Sequence, residues 1–82
     1  MVEVGDWVRL KALPPGVEKL PRVSREVFRY CLGRTYRVEE IDTQGLFVLD
    51  VSADVDRRFG GYMNDIRIEE AYLEVVPQRE TP

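Results

Sequence analysis

The chain has no histidine, a single cysteine and no long apolar run among its 82 residues. Without histidine, the commonest base near neutral pH and the commonest zinc ligand are both missing. One cysteine cannot build an internal disulfide framework. No apolar stretch approaches the twenty or so residues that a membrane helix requires. Aromatics make up only 10% of the chain, which is thin for a surface that stacks bases. Yet 44% of the residues are apolar, too many for a disordered chain, and the length suits one domain.

With 12 basic and 15 acidic side chains, the formal charge is −3 and the pI about 4.9. That balance argues against a general nucleic-acid coat. The charges are segregated. Arg9 to Arg37 holds eight basic and two acidic residues, a local +6, and the remainder carries −9. Such asymmetry can steer an acidic partner or a second copy, or the two parts can neutralise each other on folding. The opening Met1-Val2-Glu3-Val4-Gly5-Asp6 has neither the basic start nor the apolar run of a signal peptide, so the expected location is cytoplasmic, with Cys31 reduced.

Along residues 5–13, Val8, Leu10 and Ala12 alternate with Arg9, Lys11 and Leu13, which predicts a half-buried strand ending at Pro14-Pro15-Gly16. The helical signal lies in 17–33. Val23, Val27 and Cys31 fall at i, i+4 and i+8, with Phe28 and Leu32 broadening the stripe and Arg22, Arg25 and Arg29 on the other side. Pro21 or Ser24 can start this helix and Gly33 can stop it. Thr35 to Ile41 reads as a strand in which Ile41 needs a bulge or bend to share a face with Tyr36 and Val38. Gly45 closes a hairpin loop, and Leu46 to Val51 suits a central strand covered on both sides. Residues 52–65 read as a longer, irregular connection. Ile66 to Glu69 resumes alternation, Glu70 to Tyr72 suits one helical turn, and Leu73 to Val76 a last strand.

Three stretches carry a resemblance. Gly5-Asp6-Trp7-Val8-Arg9-Leu10 resembles the first strand of many small bacterial SH3-like barrels. Leu32-Gly33-Arg34-Thr35-Tyr36-Arg37-Val38 is similar to the opening of their second strand, and Ala71-Tyr72-Leu73-Glu74-Val75-Val76 to their closing turn and strand. The resemblance implies a mainly β fold: an SH3-like barrel of about five strands, with one helix inserted after the first. The domain would occupy residues 1–76, with 77–82 a disordered tail. Barrels of this type serve many purposes, so the resemblance implies architecture and not activity. The first loop is basic here, unlike the acidic loop of peptide-binding signalling SH3 domains, and no binding residue is carried over.

Candidate chemistry is sparse. Cys31 lies on the apolar stripe without a base to activate it. Ser24 and Ser52 also lack one. Glu39-Glu40 and Glu69-Glu70 are adjacent on strands, so each pair points to opposite faces and cannot share a site. Asp50, Asp54, Asp56, Asn64 and Asp65 lack the spacing of a calcium loop. No catalytic residue, metal or cofactor is therefore expected. The loop Arg57-Arg58-Phe59-Gly60-Gly61-Tyr62-Met63 stands out. Forked guanidinium donors beside aromatics can hold an anionic or planar group, although Phe59 and Met63 could equally plug the barrel end. Trp7 is either an exposed contact beside Tyr62 or part of the core rim. These residues predict a non-enzymatic module that captures an acidic or aromatic segment of another protein through Arg57, Arg58, Phe59, Tyr62 and Trp7. The alternatives are a nucleic-acid-binding barrel using Arg22, Arg25 and Arg29, a stripe continued by Arg34 and Arg37 with only Tyr30 and Tyr36 nearby for stacking, and an accessory subunit of an enzyme. No membrane association is expected.

Overall fold

A computed structural model describes residues 1–60 and 65–77. The expectations for Gly61, Tyr62, Met63 and Asn64, and for most of the tail, fall outside the described residues. Among the described residues, five antiparallel strands and two helices make up the fold: β1 (Trp7–Leu10), α1 (Arg22–Cys31), β2 (Thr35–Ile41), β3 (Phe47–Asp50), α2 (Ser52–Phe59), β4 (Asp65–Ile68) and β5 (Leu73–Val75). Short 3-10 helices at Pro15–Lys19 and Glu70–Tyr72 link them.

The strand order is β4-β3-β2-β1-β5. β2 is the pivot. Its first half pairs with β1 (Trp7 with Arg37, Arg9 with Thr35), and its second half pairs with β3 (Val38 with Leu49, Ile41 with Phe47). The register shifts between Val38 and Glu40. The extra residue turns Ile41 toward the face of Val38, but at the end of the strand Ile41 stays exposed and outside the core cluster. Among the described residues β4 and β5 do not pair, so the sheet is open by hydrogen bonding and the fold is mixed α and β.

Alternation places the core as expected in the strands. Val8 and Leu10 of β1, Tyr36 and Val38 of β2, Leu49 of β3, and Ile66 and Ile68 of β4 point to one buried cluster. Val48, on the other face of β3, is also buried, as a strand covered on both sides requires.

Both helices cap this cluster. α1 contributes Val27, Phe28 and Cys31, all from its last two turns. Val23, expected on the same stripe, lies in the first turn and is exposed. Leu32 is exposed too, because the helix ends at Cys31 and Leu32 is already extended, out of phase with the stripe. Ser24 is inside the helix and not at its start. The cap position belongs to Pro21, whose fixed φ suits the helix start and whose carbonyl accepts the Arg25 N–H at 2.9 Å. Gly33 takes φ +84°, so the chain can turn into β2 without the steric penalty a Cβ would bring.

The largest departure from expectation is α2, which replaces the irregular connection at 52–59. Val51, Val55 and Phe59 fall at i, i+4 and i+8, and all three pack on the core. The Asp50 carboxylate accepts the Ser52 N–H at 3.1 Å, which satisfies one donor of the first turn. Gly60 ends the helix at φ +74°. Among the described residues no helix is long and apolar enough to cross a membrane.

Candidate functional site

The two helices and the start of β2 meet around one carboxylate, Asp54 of α2. The Tyr36 hydroxyl donates to Asp54 Oδ2 at 2.9 Å. Arg57, one turn further on, approaches Oδ1 at 3.6 Å, and Arg34, between α1 and β2, stands 3.9 Å from Oδ2. Spacing of i, i+3 on a helix brings Asp54 and Arg57 to one face. Asp56 projects from nearly the opposite side of α2.

Next to this group runs a line of cations and rings. The Arg34 guanidinium lies 4.2 Å from the centre of the Tyr30 ring, and Tyr30 meets Phe59 edge to face at 5.7 Å. Arg58 lies over Phe59 at 5.4 Å. Arg34 also donates from Nε to the Tyr30 carbonyl, which fixes the fork in place. Rings hold guanidinium groups through their negative faces and leave the outer N–H groups free for a ligand.

Beneath the group the chemistry is inert. Cys31 is fully buried, and desolvation above all raises its thiol pKa, despite a hydrogen bond with Tyr36. Tyr36 is pushed far above an ordinary phenol, first by burial and then by its bonds to Cys31 and Asp54. A protonated thiol and a protonated phenol are poor nucleophiles near neutral pH.

On the other side of Asp54 a groove of about 270 Å³ opens between the sheet and the start of α2. Trp7, Thr35, Arg37, Asp50, Ala53 and Asp54 are among the residues lining it. Trp7 belongs to the outward face of β1, with Arg9, and is 37% exposed, so it is not part of the core.

Of the residues expected to bind, Arg57, Arg58 and Phe59 occupy the last turns of α2, and Trp7 joins them through Asp54. Trp7 lines the same groove as Asp54, and Asp54 meets Arg57. Phe59 is half-buried, so it serves both as core packing and as a support for Arg58. Tyr62 lies outside the described residues. The alternative basic face is engaged internally. Arg22 pairs with Glu26 at 3.2 Å, Arg29 grips both oxygens of Glu18 at 2.9 and 3.0 Å, and Arg25 donates to the Leu20 carbonyl. Sequence reasoning weighed Asp54 only as a calcium ligand, Arg34 and Arg37 only as the end of the basic stripe, and Tyr30 and Tyr36 only as the rings near it, and brought none of them to Arg57. The i, i+3 spacing of Asp54 and Arg57 was the one local signal. Among the described residues no group of three or more acidic or cysteine side chains is placed to hold a metal.

No family model matches the chain, and no curated protein or solved structure matches it either.

Proposed function

We propose that this chain is a non-enzymatic interaction module, an SH3-like barrel left partly open, that holds an acidic or aromatic-bearing segment of another protein against the arginines around α2. The strand order, with β2 shared between two halves of the sheet, supports the barrel reading. A buried, reduced Cys31 fits a cytoplasmic setting. The observation that carries the functional reading is the approach of Arg34 and Arg57 to the carboxylate of Asp54, with Arg58 over the Phe59 ring of the same helix, on a chain whose net charge is −3. Local positive excess on an acidic protein attracts carboxylates to one place. Arg34 and Arg58 rest on rings, so binding costs less ordering than it would for free side chains.

The test is affinity capture from the native cell, mapping of the bound segment, and titration of that segment as a synthetic peptide. Arg57→Ala with Arg58→Ala should weaken binding about 10- to 100-fold, the range for losing one or two arginine contacts. Stability should change by less than about 0.5 kcal/mol, since both side chains are exposed. Equal binding by the double variant would refute this site.

A further inference from the structure

The groove beside Asp54 carries a charge pattern that the fold does not use. Trp7 and Arg37 are register partners across β1 and β2. One step beyond the last paired residues of β2 and β3, Val38 and Leu49, Arg37 and Asp50 face each other across the opening. Asp50 in turn stands directly opposite Asp65 on β4. A single outward row therefore crosses four strands: aromatic, cation, carboxylate, carboxylate.

Asp65 itself lies outside the lining of the groove, beside Asp50. Among the described residues Arg37, Asp50 and Asp65 form no ion pair, although Arg37 and Asp50 line the same groove. The Arg37 guanidinium lies instead near Gly5, where a Cβ would stand 4.0 Å from Nη2. Only one oxygen of Asp50 is engaged, by the Ser52 N–H and hydroxyl. Like charges directly opposed on neighbouring strands disfavour the pairing, so a cation placed between Asp50 and Asp65 would relieve it.

We propose that this groove receives an extended protein segment bearing an acidic residue two positions from a basic one, the acid on Arg37 and the base between Asp50 and Asp65. The inference rests on the interaction-module reading and names the chemistry of the partner. Side chains two apart on an extended segment share a face and lie about 7 Å apart. Asp50 and Asp65 sit on paired strands about 4.8 Å apart, so one basic side chain can reach both, with Arg37 across the opening. Trp7 offers a flat apolar wall beside the acid. An all-acidic segment would satisfy Arg37 but worsen the repulsion at Asp50 and Asp65.

Two capped hexapeptides of identical composition test this, one containing Glu-Ser-Lys and the other Ser-Glu-Lys, each titrated into the ¹⁵N-labelled full chain. The Glu-Ser-Lys peptide should bind at least about fivefold tighter, with the largest amide shifts at Arg37, Asp50 and Asp65. Arg37→Ala and, separately, Asp65→Asn should each abolish that preference. Asp65 is chosen because Asp50 also caps α2. Equal affinities, no binding of either peptide, or shifts centred elsewhere would overturn the proposal. The Arg57→Ala, Arg58→Ala variant separates the two readings. Preserved discrimination with undiminished binding would sink the arginine site alone. Weakened binding of both peptides without discrimination would sink the groove alone.

Discussion

Tyr36→Phe removes one hydroxyl from the junction of α1, α2 and β2 and leaves the ring in place. The lost bond runs to an ionised partner, Asp54, at 2.9 Å. Hydrogen bonds to charged groups contribute about 1.5–3 kcal/mol. Asp54 keeps 22% of its side chain exposed and retains Arg34 and Arg57, so water and guanidinium groups replace part of the loss. The expected destabilisation is therefore at the low end, about 1–2 kcal/mol. For a domain of this size each kcal/mol moves Tm by about 6 °C, so thermal unfolding followed by circular dichroism should show a drop of about 6–12 °C. Alkaline pH provides a second reading. The folded phenol holds its proton far above the pH at which an unfolded tyrosine releases it. Its contribution is complete below about pH 10 and is lost as pH rises further, because only the unfolded chain then gains by ionising. Cys31 acts in the same direction from a lower pH in both proteins, although the variant loses the Tyr36 hydrogen bond that lowers its folded pKa. Stability of the parent should fall more steeply above about pH 10 than that of Tyr36→Phe, by up to about 1.4 kcal/mol per pH unit. A variant within about 0.3 kcal/mol of the parent, with the same alkaline slope, would show that the Asp54 junction does not hold the helices together.

Two further outcomes follow from the packing and the loops. Val55→Ala removes two methyl groups beneath α2 from a fully buried position, and should cost about 2 kcal/mol, read as a lower urea midpoint at unchanged slope. Asp42 accepts the Leu46 N–H, the Gln44 N–H and the Arg67 guanidinium, and these hold its carboxyl below the usual range. Its contribution is present above the unfolded value of about 4 and is lost as pH falls through the folded one. Asp42→Asn should therefore be less stable than the parent at neutral pH, with the gap closing in acid. Urea titrations at a series of pH values check this, and a gap that widens in acid would contradict the assignment.

How much of this was legible in the chain depends on the distance over which each pattern is written. The bulge of β2 could be read because Tyr36 and Val38 set a period of two and Ile41 falls one residue out of step. The C-terminal half of α1 could be read because Val27, Phe28, Cys31 and Gly33 lie within seven residues. α2 was hidden by its own first anchor. Val51 closes an apolar run that reads as strand, so the stripe Val51, Val55, Phe59 was divided between two elements, and the two Asp and two Arg between them resembled a loop. The row Trp7, Arg37, Asp50, Asp65 had no sequence signal at all. It spans 58 residues, from Trp7 to Asp65, and arises from the registers of separate strand pairs, and register depends on side chains across the whole sheet.

The charge segregation along the chain now has a physical reading. If the basic stretch and the acidic remainder existed to neutralise each other, folding would join them. Only two ion pairs do so among the described residues, Arg9 with Glu74 and Arg34 with Asp54, at 3.6 and 3.9 Å. Arg22 and Arg29 use the two acids of their own stretch, and Asp42 and Asp54 find arginines within the acidic part. Exposed pairs contribute about 0–1 kcal/mol each, too little to explain the segregation as a stabilising device. Among the charges left without an ion pair, Arg37 and Asp50 line the groove, Asp65 stands opposite Asp50, and Arg58 lies on α2. Unpaired charges of both signs beside one groove do little for the folded chain alone, but they orient an approaching segment and reject one with the wrong pattern.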